Sequence, residues 1–227
     1  MKIGVLLSGC GVYDGAEIQE AVFSLLALEE EGFEPVCIGI NQKQHHVINH
    51  LNGDEIKEHR NMLVEAARIA RGNIIDIKDV CSLEGIVIPG GFGSAKNFTS
   101  WAFDGPDGKV NEDVKNLILQ LISEKKPIVA LCVSPVVVAK ALENSLVCPN
   151  LTIGSSEEAS PYDINGFISG LHKAGAKTTM KTIKEVEIDY ENNIISAPCY
   201  MMEASIIEIR NNIKIAIQAM NQLIRSK

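Results

Sequence analysis

The chain has no apolar run long enough to cross a membrane. Nothing in its 227 residues approaches the roughly eighteen consecutive apolar positions that a spanning helix needs. Its first apolar run, Ile3 to Leu7, is too short for a secretory signal and meets Gly9 and Gly11 at once. Paired cysteines are missing too. The six cysteines, at 10, 37, 81, 132, 148 and 199, show no CxxC spacing, which argues against a zinc knuckle and against a disulfide framework. Positive charge is scarce: 21 Lys and Arg against 29 Asp and Glu leave a net charge of −8. An acidic surface repels phosphate backbones and anionic lipid, so neither nucleic acid nor a membrane is an expected partner. A reducing cytoplasm with mostly buried thiols is the expected setting. Internal repeats and low-complexity tracts are also lacking.

The composition that remains, 46% hydrophobic and 22% charged, is that of an ordinary globular protein. The length favours one α/β domain over 1–227 rather than two small ones. Strand and helix signals alternate along it. Lys2 to Leu7 reads as a strand followed by a glycine-rich loop. Glu17 to Glu31 reads as a helix whose apolar face is Ile18, Ala21, Val22, Leu25, Leu26 and Leu28, closed by Gly32. Glu34 to Ile40 is the next strand, and Glu58 to Gly72 a helix. Gly85 to Ile88 is a buried strand stopped by "PGGFG". Asn111 caps a helix to Ser123, Ile128 to Leu131 is a strand, and a helix follows Cys132. Beyond these lie a strand at Leu151 to Ile153, a helix at Tyr162 to Lys173 and a hairpin turning at Glu191 to Asn193. A last helix covers Ala204 to Arg225. Alternation of this kind predicts a mostly parallel sheet covered on both faces, with ligands bound beyond the carboxyl ends of its strands.

Three loops leave those ends: "SGCGVYDGAE", "PGGFGSAKN" and "CVSP". Cys132 falls where a strand stops and a helix starts, a nucleophile-elbow position. Helix amides pointing at its sulfur favour a thiolate and lower the thiol pKa. Read by spacing alone, it is equally a small apolar residue at a strand end. Cys10 also follows a strand, but no helix starts there. The glycines of "PGGFG" let backbone amides approach a ligand. The segment is neither a dinucleotide fingerprint, for want of the third glycine, nor a P-loop, because Ala95 precedes Lys96.

Five segments, "LSGCGVYDGAEIQEAV", "VINHLNGDEIKEHRNMLVEAARIARG", "IVIPGGFGSAKN", "LCVSP" and "LTIG", together resemble the ElbB family of the DJ-1/PfpI superfamily, over nearly the whole chain and in order. The resemblance implies a flavodoxin-like three-layer sandwich of the class I glutamine-amidotransferase type. It implies a reactive cysteine at the elbow, which Cys132 matches, and a glutamate from the first helix in contact with its sulfur. Glu17 and Glu20 both lie near that helix start. Counting from "GAE" to Gly32 puts Glu20 in the superfamily position. Its place opposite the Ile18/Val22/Leu25 stripe speaks for a solvated charge instead, so Glu17 stays open. Gly91 and Val133 match the oxyanion-hole amides. The chain departs from the superfamily pattern in two respects: Val133 stands where protease-like and chaperone-like members carry histidine after the cysteine, and His172, the only histidine after Cys132, lacks the His-x-Glu of amidotransferases. A Cys-His peptidase or glutaminase is thereby excluded, and proton transfer falls to a carboxylate.

The resemblance further implies a glutathione-independent glyoxalase, a lyase that converts methylglyoxal or glyoxal to lactate or glycolate through a cysteine hemithioacetal. The alternative is a non-enzymatic redox sensor, or a modulator of isoprenoid biosynthesis, acting through an oxidisable elbow cysteine. No cofactor is implied. A homodimer is, with Trp101 and the late hairpin as candidate interface elements. Arg60, with Arg68 and Arg71, is read on the outer face of its helix, where Arg60 is the first candidate to reach an anionic group. His46 and His50 have the spacing of zinc ligands on one helix face but lack a clear third partner, and "FDGPDGKVNED" has the wrong spacing for a calcium loop. No metal is expected.

Overall fold

In the computed structural model, which describes residues 1–226, seven strands form one sheet in the order β3-β2-β1-β4-β5-β9-β8. They are β1 (Lys2–Leu6), β2 (Glu34–Gly39), β3 (Ile74–Asp76), β4 (Gly85–Ile88), β5 (Ile128–Leu131), β8 (Glu187–Asp189) and β9 (Ile194–Ala197). The first six in that order run parallel, and β8 closes the edge antiparallel to β9. The apolar runs explain the arrangement. Ile3, Val5, Leu6, Ile86 to Ile88 and Ile128 to Leu131 are wholly buried, as strands covered on both faces must be. A separate pair, β6 (Asn150–Leu151) and β7 (Lys177–Thr178), lies beside it. Chain order reverses between β1 and β4, and the carboxyl ends of β1, β4 and β5 therefore border one crevice.

The helices are α1 (Ile18–Glu30), α2 (Met62–Ile69), α3 (Trp101–Asp104), α4 (Glu112–Ser123), α5 (Pro135–Leu142), α6 (Ile164–Lys173) and α7 (Ile206–Arg225). Asn111 caps α4, its side chain accepting the amides of Asp113 and Val114. The flavodoxin-like sandwich read from the sequence is the fold observed. None of the helices is long and apolar enough to cross a membrane among the described residues.

Three local expectations fail, and one turn forms that the sequence does not announce. The apolar stripe of α1 is not its buried face. The helix buries Glu20, Ala21, Ser24, Ala27 and Leu28, while Ile18, Val22 and Leu26 are each 45% exposed. Small residues win the inner face because α1 packs closely on β1, β2 and α7. The Ser24 hydroxyl there needs no outside partner, since it donates to the Glu20 carbonyl at 2.7 Å. Second, α2 starts at Met62, not Glu58. The Asn61 side chain accepts the Val64 amide and caps it there, which leaves His46, His50 and Arg60 on the preceding loop. The unannounced turn, Ser94–Phe98, is π-helical and follows "PGGFG". Third, Trp101 is no exposed interface residue. It is buried over Gly170, where a Cβ would lie 2.7 Å from its ring.

Candidate active site

Cys132 is the first residue after β5, and its φ of +57° is a left-handed conformation that costs a non-glycine residue about 1–3 kcal/mol. Neighbouring bonds hold it there. Its amide donates to Ala197 O at 2.9 Å, which carries the β5–β9 ladder one step past the strand. Pro135 opens α5 with the fixed φ suited to a first helical position. Between them, the buried Ser134 hydroxyl donates to Pro89 O at 2.7 Å and lies 3.0 Å from the Ser94 hydroxyl. The same carbonyl accepts from Ser94 at 3.1 Å. Pro89, Ser94 and Ser134 thus lock the turn after β4 against the elbow after β5.

That lock places the two glycines. Gly90 leaves no room for a side chain: a Cβ there would sit 2.8 Å from the Cys132 sulfur and 2.7 Å from Glu20 Oε2. Its amide donates to Glu20 Oε2 at 2.8 Å. Gly91 has φ +94°, and a Cβ would meet the amide nitrogen of Glu17 at 2.5 Å. The amides of Gly91 and Val133 both point at the Cys132 sulfur. Both amides thus oppose the effect of burial on the thiol.

Glu20 lies wholly buried in the first turn of α1 and hydrogen-bonds the Cys132 thiol. Its other oxygen accepts the Tyr200 amide at 3.3 Å. Glu17 is the cap of α1, its Oε2 accepting the Glu20 amide at 2.6 Å, and it lines the crevice instead of touching the sulfur. Burial, with the Glu17 charge next in weight, pushes the Glu20 carboxyl up to about 8. It therefore holds a proton at neutral pH. Burial also pushes the Cys132 thiol well up, with the Glu20 charge adding and the Gly91 and Val133 amides opposing. The sequence points to a lowered thiol pKa. The amides act in that direction, but desolvation in so closed a site outweighs them. Once Glu20 carries its proton its charge no longer opposes a thiolate, and the carboxyl becomes a donor toward the sulfur.

Above the sulfur is a cleft of about 350 Å³ that includes some open solvent, walled by Val12, Phe92, Val133, Tyr162, Phe167 and Tyr200, with Glu17 and Met201. A wider groove shares Val12, Glu17, Tyr162 and Tyr200 and leads outward past Tyr13 and Glu203. No cationic side chain lines either. Arg60 is elsewhere: it pairs with Glu58 at 3.0 Å and Glu65 at 3.3 Å, and Arg68 joins Glu65 at 2.9 Å. His50 takes the Tyr13 amide on Nε2 at 3.2 Å and contacts Ile48 O through Nδ1 at 3.0 Å, so both ring nitrogens are engaged. Among the described residues no cluster of three or more His, Cys, Asp or Glu is arranged to hold a metal ion. Tyr162 and Tyr200 belong to the site and lie outside the quoted segments, and Ser94 and Ser134 lie inside "PGGFGSAKN" and "LCVSP" without a role read for them. Only the "SP" after "LCV" hints at one of them, as a helix start.

No family model matches the chain. It is 35% identical over 226 residues to the rat ES1 protein homolog, mitochondrial, covering 98% of this chain and 84% of the relative. It is likewise 35% identical over 226 residues to human glutamine amidotransferase-like class 1 domain-containing protein 3, mitochondrial, covering 98% and 83%. Among solved structures it is similar to an isoprenoid biosynthesis protein with amidotransferase-like domain from Ehrlichia chaffeensis, with a TM-score of 0.87 at 33% identity over 98% of this chain and 99% of that one. Drosophila melanogaster DJ-1beta shares the fold at a TM-score of 0.55 and 17% identity, over 99% and 94% of the two chains.

Proposed function

The chain belongs to the ElbB family of the DJ-1/PfpI superfamily, and from that premise we propose that it is a glutathione-independent glyoxalase converting methylglyoxal to lactate. The observation that carries the reading is a carboxyl buried against a thiol, with two backbone amides aimed at the same sulfur. Cys132 supplies the thiolate, Glu20 the proton transfers, and the Gly91 and Val133 amides the oxyanion site.

The Cys132 thiolate forms an S–C bond to the aldehyde carbon C1 while the C1 carbonyl oxygen takes the Glu20 proton, giving a hemithioacetal. The freed Glu20 carboxylate removes the C1 hydrogen, and the electron pair moves to the C2 oxygen as an enediolate. The proton on the C1 oxygen passes to the C2 oxygen, Glu20 returns the abstracted proton to C2, and the C1 oxygen becomes a carbonyl, which leaves a 2-hydroxy thioester on Cys132. Water cleaves the C–S bond, restores the thiol and releases lactate. No imidazole takes part, and none lines the cleft.

The wall selects against anions. Glu17 is its one carboxylate, and no cationic side chain faces it. Uncharged α-oxoaldehydes are therefore the proposed substrates. Methylglyoxal should yield lactate without glutathione, and the anionic aldehyde glyoxylate should protect Cys132 from iodoacetamide at least about tenfold less well than methylglyoxal, since it must enter beside Glu17 with no counter-charge. Lactate release from methylglyoxal and protection of Cys132 by each aldehyde, followed on the same preparation, are the measurements. Absence of lactate would leave the redox-sensor or modulator reading in its place.

A homodimer across α1 is part of the proposal. Ile18, Val22 and Leu26 form an outward apolar stripe one turn apart on the helix that carries Glu20. Light scattering at micromolar concentration should give a dimer, and Val22→Glu a monomer. A monomeric wild type ends the dimer proposal. All six cysteines are free. That suits the reducing cytoplasm proposed for this chain; the rat and human relatives are named as mitochondrial.

A further inference from the structure

We infer that the Tyr162 hydroxyl is a catalytic hydrogen-bond donor of this site, placed to bind the second carbonyl oxygen of an α-dicarbonyl substrate; the inference rests on the glyoxalase reading of Cys132 and Glu20. An α-oxoaldehyde bound through C1 to the Cys132 sulfur presents two oxygens. The amides of Gly91 and Val133 converge on the sulfur and serve the first. The second, on C2, takes the negative charge of the enediolate, and a buried oxyanion without a donor is costly.

The cleft holds few candidates for that donor. Besides Cys132, its protic side chains are Glu17, Tyr162 and Tyr200. The Glu17 carboxylate is occupied as the cap of α1. The Tyr200 hydroxyl donates to the Gln19 side-chain oxygen. The Tyr162 hydroxyl has no hydrogen-bond partner among the described residues.

The Tyr162 ring is fixed although its hydroxyl is free. Its amide donates to Ser160 Oγ at 3.0 Å, and that hydroxyl donates in turn to Met201 O at 2.6 Å. The ring stands edge to face with Phe92 at 6.1 Å and 71°. Tyr162 also sits where the inner cleft joins the outer groove, so a substrate passes it to reach the sulfur. Burial pushes its phenol up to about 12, and the charges of Cys132, Glu20 and Tyr13 add to this. It remains a donor throughout the neutral range. A donor already fixed in position strengthens its bond as charge builds on the C2 oxygen, which is the requirement for lowering the barrier and not merely binding substrate.

Tyr162→Phe keeps the ring and its contact with Phe92. The test compares lactate release from methylglyoxal with protection of Cys132 from iodoacetamide by two aldehydes: methylglyoxal, with two carbonyls, and acetaldehyde, with one. The expected result is a loss of kcat/KM of at least about tenfold, with kcat falling as well. Protection by methylglyoxal should weaken while protection by acetaldehyde stays as in the wild type. If the wild type releases lactate and Tyr162→Phe matches it, the Tyr162 role is overturned and the glyoxalase reading stands. If the wild type releases none but Tyr162→Phe selectively weakens methylglyoxal protection, the glyoxalase reading falls and the dicarbonyl donor stands. Equal weakening for both aldehydes would reduce Tyr162 to a structural part of the wall and overturn the inference, as would a wild type that neither aldehyde protects.

Discussion

Glu20→Gln lowers lactate release by about 10² or more, and Cys132→Ala abolishes it, while Glu17→Gln leaves most of the activity. A positioned general base typically contributes 10²–10⁴-fold, and with Val133 after the cysteine no imidazole is present to substitute. The variant also changes the site's hydrogen bonding. Both Glu20 oxygens accept backbone amides, from Gly90 and from Tyr200, and Gln can meet only one of them with its carbonyl. Cys132 alkylation and a melting curve on the same preparation separate lost chemistry from a displaced loop. The rate should also rise with pH toward about 8, where Glu20 loses its proton and the pair passes from two protons to one. Only the one-proton pair can hold a thiolate beside a carboxylic acid. An active Glu20→Gln with a dead Glu17→Gln would move the base to the cap position. Equal activity of wild type and both variants would remove the carboxylate from the mechanism.

How far the sequence reaches toward this site depends on what fixes each part. The parallel sheet is legible because residues buried on both faces must be apolar in unbroken runs, and Ile86 to Ile88 and Ile128 to Leu131 are such runs. The elbow is legible because a strand signal meets Pro135 within four residues. The inner face of α1 is not. Periodicity assigns the core to the larger apolar residues, whereas close packing on α7 selects Ala21, Ser24 and Ala27 and turns Ile18, Val22 and Leu26 outward. That inversion is what makes Glu20 look solvated by pattern when it is wholly buried. The start of α2 is misread for a different reason. Glu58 and Arg60 are good helix formers, but the Asn61 side chain caps the chain three residues after Glu58, and Arg60 pairs with Glu58 and Glu65 away from the cleft. Tyr162 stands far from Cys132 in sequence, and the Ser94–Ser134 clamp joins two separate quoted segments, so only the folded chain brings them into view.

The second large effect is on stability, and its sign follows from Glu20. In the unfolded chain its carboxyl titrates near 4.5, in the folded protein near 8. The folded state therefore binds the proton more tightly. Its stabilising contribution is complete below the unfolded value, declines as pH rises through the interval, and is gone above about 8. Each unit within the interval is worth about 1.4 kcal/mol, so between pH 5 and pH 7 the wild type should lose about 2–3 kcal/mol, near 100-fold in the folding equilibrium, relative to Glu20→Gln. Comparing slopes removes the groups the two proteins share, including Glu30, Asp107 and Glu124, whose carboxyls are lowered by lysine partners and act in the opposite direction. Glu17 supplies part of the elevation, so Glu17→Gln should lower the upper end of the interval and shorten the decline. Urea unfolding at pH 5, 7 and 9 is the measurement. A wild-type-minus-Gln difference that does not change with pH would mean that Glu20 is ionised throughout. The thiol would then face a permanent negative charge, and a thiolate at Cys132 would have to form against it instead of beside a carboxylic acid.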